Sequence, residues 1–249
     1  MAFTSRNPAL RASVFEKYGT VAAGEAMTVE GTVNKTAFLL FLVVVTAAWV
    51  WSRVTGAFDP RAEAMPYLLW GVLGGLGFGL VTSFKIDWAP VTAPIYAVFE
   101  GLALGALSAY LELTYHGIVV PAVVLTFATF ACVLLAYRAG ILRATPMFTR
   151  VVVFATAGVA LFYIVALVLS MFGVGVSYFT STSTLSIVIN IAIAVLAAMN
   201  LVLDFDFIAS GAEANAPKRL EWYGAFGLVV TLIWLYVEIL RLLSRLRRR

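Results

Sequence analysis

Hydrophobic positions along this chain gather into seven long runs separated by brief polar stretches. The runs are Thr36–Val54, Tyr67–Phe84, Thr92–Leu111, Gly117–Tyr137, Val151–Phe172, Leu185–Phe205 and Trp222–Leu243. Each approaches or exceeds the roughly 17–25 residues with which an α-helix crosses about 30 Å of hydrocarbon. None has the short alternating pattern of a membrane β-strand. The pattern predicts an all-α polytopic membrane protein, a seven-helix bundle forming one transmembrane domain over residues 36–249. Residues 1–35 are polar with scattered charges and predict an extramembrane tail, with a short amphipathic piece around Leu10 to Tyr18. The first apolar run begins near Thr36 and is long enough to span, so it reads as a membrane helix and not as a cleaved signal.

The closing run is not uniformly apolar. At about 100° per residue, Gly224, Gly227, Thr231, Trp234, Glu238, Arg241 and Arg245 share one face, while Phe, Leu, Val and Ile occupy the others. A small-and-polar stripe bearing an ionisable group is suited to face protein or water, not lipid. The sixth run carries a similar stripe of Asn190, Ala197, Asn200 and Asp204, with Asp206 pointing almost oppositely. Gly71, Gly75 and Gly79 in the second run, and Gly101, Gly105 and Ala109 in the third, put small residues on one face. Such faces predict close helix contacts.

Composition supports the membrane reading. The chain is 62% hydrophobic and 12% charged, about half the charge of a soluble domain, and its mean hydropathy is +0.97. The net charge of +4 comes from Lys and Arg at helix ends, which bears on membrane orientation and not on nucleic-acid binding. The single cysteine, Cys132, lies in an apolar run and excludes an internal disulfide. With the N-terminus in the cytoplasm, Arg6, Arg11, Lys17, Lys35, Lys85, Arg138, Arg143, Arg150, Lys218 and Arg219 fall inside, and only Arg53 and Arg61 fall in outer loops. Seven crossings then put Arg245, Arg247, Arg248 and Arg249 outside, in conflict with the positive-inside rule. Either the early helices dominate the orientation, or the sixth or seventh run does not cross fully.

Ionisable groups at membrane depth are expensive and functional by default. Here they are Glu100, Asp204, Asp206, Glu238 and Arg241. Arg241 could pair with Glu238 along the helix. Alternatively, Glu238 faces an aspartate of the sixth helix, Asp204 or Asp206. Two carboxylates in a low-dielectric site do not easily both ionise, so such a pair shares a proton and forms a proton-sensitive latch. Glu100 reads either as a helix–helix hydrogen-bonding group or as a polar group of a pore, with Asn190, Asn200, Thr231 and Arg241, and His116, near Glu112, as a solvated loop residue. Zinc-helix, nucleophile-elbow and phosphate-loop motifs are missing from the sequence, so it reads as a non-enzyme without a resident cofactor.

Three stretches carry a family resemblance. FEGLALGALSAY at Phe99–Tyr110, VLDFDFI at Val202–Ile208 and LYVEILRLL at Leu235–Leu243 occur in that order on seven apolar runs. The chain resembles the Bax inhibitor-1 family, the transmembrane Bax inhibitor motif proteins, and most of all its bacterial branch. The resemblance implies a seven-helix bundle in a bacterial plasma membrane, with the C-terminal helix central. It also implies a pair of acids, Asp204 and Glu238, gating a calcium leak in response to pH. The chain departs from the family in having Glu where the second acid is Asp, in a longer connection between the two acids, and in a long N-terminal tail. Hard cations want several oxygen ligands. Asp204 and Glu238, supported by Asn190, Asn200 or Thr231, would offer a weak transit site for calcium. The expected partners are thus the lipid bilayer, calcium ions and protons. The alternatives are a proton-coupled small-solute transporter, disfavoured by the lack of an internal repeat, and a non-transporting regulatory membrane protein.

Overall fold

The computed structural model describes residues 25–172 and 183–248. Among them are seven helices long and apolar enough to cross a membrane. These are α1 (Val29–Thr55), α2 (Pro60–Phe84), α3 (Ala89–Thr114), α4 (Val119–Arg138), α5 (Pro146–Met171), α6 (Thr184–Glu213) and α7 (Leu220–Arg247). One short 3-10 turn, Ile86–Trp88, leads into α3. Among the described residues the only extended pairing is an isolated antiparallel bridge between Ala26 and Pro217. The amphipathic piece expected at Leu10 to Tyr18 lies outside the described residues.

Several helices outrun their apolar cores, for local reasons. α1 starts at Val29, ahead of the apolar run at Thr36, because Thr28 caps it by accepting from Gly31 N and Glu30 lies in its first turn. α2 starts at Pro60, where Asp59 accepts from Arg61 N and Ala62 N at 3.0 and 3.2 Å. α4 starts beneath Glu112, whose carboxylate takes the backbone N–H groups of Gly117, Ile118 and Val119 at 2.6, 3.2 and 3.1 Å. Hydropathy marks the buried length of a helix, whereas capping decides where its hydrogen bonds begin. α6 and α7, with 30 and 28 residues, are both long enough to cross.

The chain divides into two compact units. One contains α1, α2, α3, the end of α6 and the start of α7. In it the small-residue faces do what the sequence predicts. A Cβ on Gly71 would lie 2.5 Å from Ala103 N of α3, and a Cβ on Gly105 would lie 2.5 Å from the Ala47 carbonyl oxygen of α1. The other unit contains α4, α5, most of α6 and the C-terminal part of α7. Its α4 and α5 expose Val, Leu and Phe along much of their length, as lipid-facing helices do. α7 differs from both: no residue from Leu220 to Arg245 is exposed.

Candidate functional site

α7 is apolar enough to sit at membrane depth, yet Glu238 is fully buried in it. A charge there persists only if its oxygens are supplied with donors, and they are. Oε1 accepts from the Tyr163 hydroxyl of α5 at 2.6 Å and from Nη1 of Arg241 at 2.8 Å. Oε2 accepts from Nδ2 of Asn190 of α6 at 2.7 Å and from Arg241 Nη1 at 3.1 Å. Asn190 Nδ2 also reaches the Glu238 carbonyl at 3.3 Å. Arg241 further donates to the Tyr163 hydroxyl at 2.8 Å, and its guanidinium lies 5.5 Å from the centre of the Tyr163 ring. Glu238, Arg241, Tyr163 and Asn190 therefore form one network from three helices.

Asp204 occupies a different setting in the same unit. It is hydrogen-bonded to Thr231 of α7. Its Oδ2 is buried and makes no hydrogen bond. Thr231 stands seven residues before Glu238, about 10 Å along the helix. The Asp204 and Glu238 carboxyls have separate hydrogen-bond partners and are not bonded to each other. Asn190 Oδ1 is also buried without a hydrogen bond. Asn200 donates to Thr156 Oγ1 of α5 at 2.8 Å and to the Leu196 carbonyl at 2.9 Å. Among the described residues, no three His, Cys, Asp or Glu side chains gather as a metal site.

The remaining sequence candidates lie in the other unit. Asp206 is half-buried, and its backbone carbonyl accepts from Ser210 Oγ at 2.5 Å. Glu100 is hydrogen-bonded to Tyr96 one turn earlier on α3. Its Oε1 lies against α2, where a Cβ on Gly75 would come within 2.5 Å of it. Glu100 therefore bonds within its own helix and packs against α2.

One participant escapes the sequence reading. Tyr163 falls on a seven-residue polar repeat in α5, Thr149, Thr156 and Tyr163, a spacing that keeps one helix face. That repeat was the available signal. Arg245, named above both on the polar face of the closing run and among its terminal charges, is 3% exposed and donates from Nη1 to the Ser186 carbonyl at 2.6 Å.

Seven membrane-length helices among the described residues, with a buried, ion-paired carboxylate on the last of them, define a polytopic integral membrane protein. The family model described as Bax inhibitor 1 like matches residues 7–248, nearly the whole chain, and the protein belongs to that family. Comparisons with curated proteins and with solved structures return no match.

Proposed function

We propose that this protein is a pH-sensitive leak for cations, with calcium as the ion, in a bacterial inner membrane and with its N-terminus in the cytoplasm. Asp204 and Glu238 are the gating carboxyls. The observation that carries this reading is the buried, unpartnered Oδ2 of Asp204. A group that only packs helices finds a partner for each oxygen, because an unmet buried oxygen costs roughly 1–3 kcal/mol. An oxygen left open at membrane depth is available to a proton or a cation.

Glu238 supplies the second half. Arg241 neutralises it as a tethered cation, so a permeating ion must compete with a guanidinium for the same oxygens. Protonating Glu238 removes the charge that holds Arg241 and leaves Tyr163 without its anionic acceptor. The network then has two arrangements, one ion-paired and one neutral, which is the form a proton switch takes. Asn190 Oδ1 and the Thr231 hydroxyl add neutral oxygens. Each carboxyl with its one neutral oxygen holds a hard cation only weakly, and weak binding is what permeation requires.

The test is calcium flux through the purified protein in proteoliposomes across a pH series. Asp204→Asn combined with Glu238→Gln abolishes the pH response. Unchanged flux and unchanged pH dependence in that double variant rule the gating role out.

A further inference from the structure

Glu221 is a second fully buried carboxylate, and the site above does not use it. It stands in the first turn of α7. Its Oε1 accepts from Thr28 N at 2.9 Å and Thr28 Oγ1 at 3.0 Å, and its Oε2 is ion-paired with Lys35 Nζ. All these donors belong to the start of α1. The Thr28 hydroxyl also caps α1 by accepting from Gly31 N at 2.9 Å. A Cβ on Gly31 would collide with the Glu221 carboxylate, so the glycine leaves the space it fills. The Trp222 ring covers Lys35 at 5.5 Å and meets Phe38 edge-on at 6.1 Å.

The backbone repeats the attachment. Met27 N donates to the Ala216 carbonyl at 2.6 Å and Lys218 N to the Glu25 carbonyl at 2.9 Å, on either side of the Ala26–Pro217 bridge. Residues 25–28, which read as tail, are therefore a strap laid on the connection that enters α7. That connection spans only residues 214–219 and turns through Asn215 at φ +50°. The start of α7 thus has a covalent tether to α6 and a non-covalent tether to the strap, and only the second can release.

We propose that the strap is a reversible latch on α7 and that Glu221 is its fastening. A buried carboxylate surrounded by donors has two good states, fully bonded or fully hydrated, and a costly one between. That makes the contact two-state, unlike an apolar seam that slides. α7 is one continuous helix that carries both Glu221 and Glu238. Release of the strap frees the entry of the helix that bears Glu238, and its consequence for flux rests on the ion-leak reading.

The experiment uses the full chain with Cys132→Ser and a single new thiol, Ala26→Cys, at a buried strap position. The alkylation rate of that thiol reports strap opening without reference to transport. Glu221→Gln keeps the side-chain size and raises the rate about tenfold. Lys35→Met does the same in case the glutamine variant folds poorly, and detergent-purified monodisperse protein is the folding check. In a second arm, Ala26→Cys with Pro217→Cys sits at a non-hydrogen-bonded antiparallel pair, where Cβ atoms are close enough for a disulfide. Oxidation freezes calcium flux at one value across pH, and reduction restores the response. Equal alkylation rates in parent and both charge variants overturn the latch, as does an unchanged pH response with the disulfide fully formed. If the parent protein passes no ion, the leak reading alone fails, and the alkylation rates decide the latch by themselves.

Discussion

Tyr163 and Glu238 are joined by a 2.6 Å hydrogen bond between helices α5 and α7, with the tyrosine hydroxyl as donor. The same hydroxyl accepts from Arg241 at 2.8 Å. It is thus the hinge between the anion and its counter-ion. Tyr163→Phe keeps the ring under the guanidinium and deletes only the hydroxyl. The loss of a hydrogen bond to a charged, buried acceptor costs about 1.5–3 kcal/mol. The expected outcome is a melting temperature in detergent lowered by several degrees. A variant that melts like the parent would show the hydroxyl to be dispensable to the network.

The Glu238–Arg241 ion pair has partners of unequal burial: the side chains are 1% and 26% exposed, respectively. Breaking a buried pair from one side leaves an uncompensated charge and costs about 3–5 kcal/mol. Arg241→Met strands a fully buried carboxylate, while Glu238→Gln strands a guanidinium that can still reach water. Arg241→Met is therefore the more damaging single change. The double variant costs less than the two singles added, by about 1–3 kcal/mol. A thermodynamic cycle built from denaturation of the four proteins checks this, and strict additivity would mean that the pair contributes nothing as a pair.

These residues also mark how far a one-dimensional reading reaches. The seven helices were legible because a membrane helix must be apolar for most of its length, whatever it packs against. Glu238 and Asp204 were legible because a carboxylate stands out against such a background. Tyr163 was not, since one tyrosine in an apolar helix has many bland explanations, and its role exists only opposite Glu238. Glu221 was hidden for another reason: it adjoins Lys218 and Arg219 and precedes the apolar run at Trp222, so it resembles an ordinary loop charge. Its partners are Thr28 and Lys35, 193 and 186 positions away in sequence. The early start of α1 is part of the same effect, because Thr28 and Glu221 cap a turn that hydropathy assigns to the tail.

Glycine positions on α2 and α3 give opposite predictions within one fold. At Gly105 an added methyl meets the Ala47 carbonyl oxygen at 2.5 Å and the Ala47 Cα at 2.8 Å, and backbone atoms cannot step aside. Gly105→Ala therefore separates α3 from α1 and costs about 1–3 kcal/mol or more. At Gly77 nothing lies within 4 Å of the new methyl, and alanine gains up to about 1 kcal/mol of helix propensity. Thermal denaturation of the two variants side by side checks the contrast. Equal melting temperatures would show that the α1–α3 contact is looser than the structure has it.

Asp204 and Glu238 are expected to separate when each is neutralised alone. Glu238 is fully engaged, so Glu238→Gln disturbs packing as well as charge. Asp204 holds Thr231 and leaves its other oxygen buried and unmet. Asp204→Asn keeps an acceptor for the Thr231 hydroxyl and replaces a buried acid with a neutral amide that is cheaper to desolvate. Its melting temperature therefore equals or exceeds that of the parent, while the pH response of calcium flux is lost. Groups retained at a cost to stability are those that function uses. Measuring melting temperature and flux on the same preparation tests both halves. A clear loss of stability in Asp204→Asn would make Asp204 a structural residue, and the open oxygen would no longer argue for a gate.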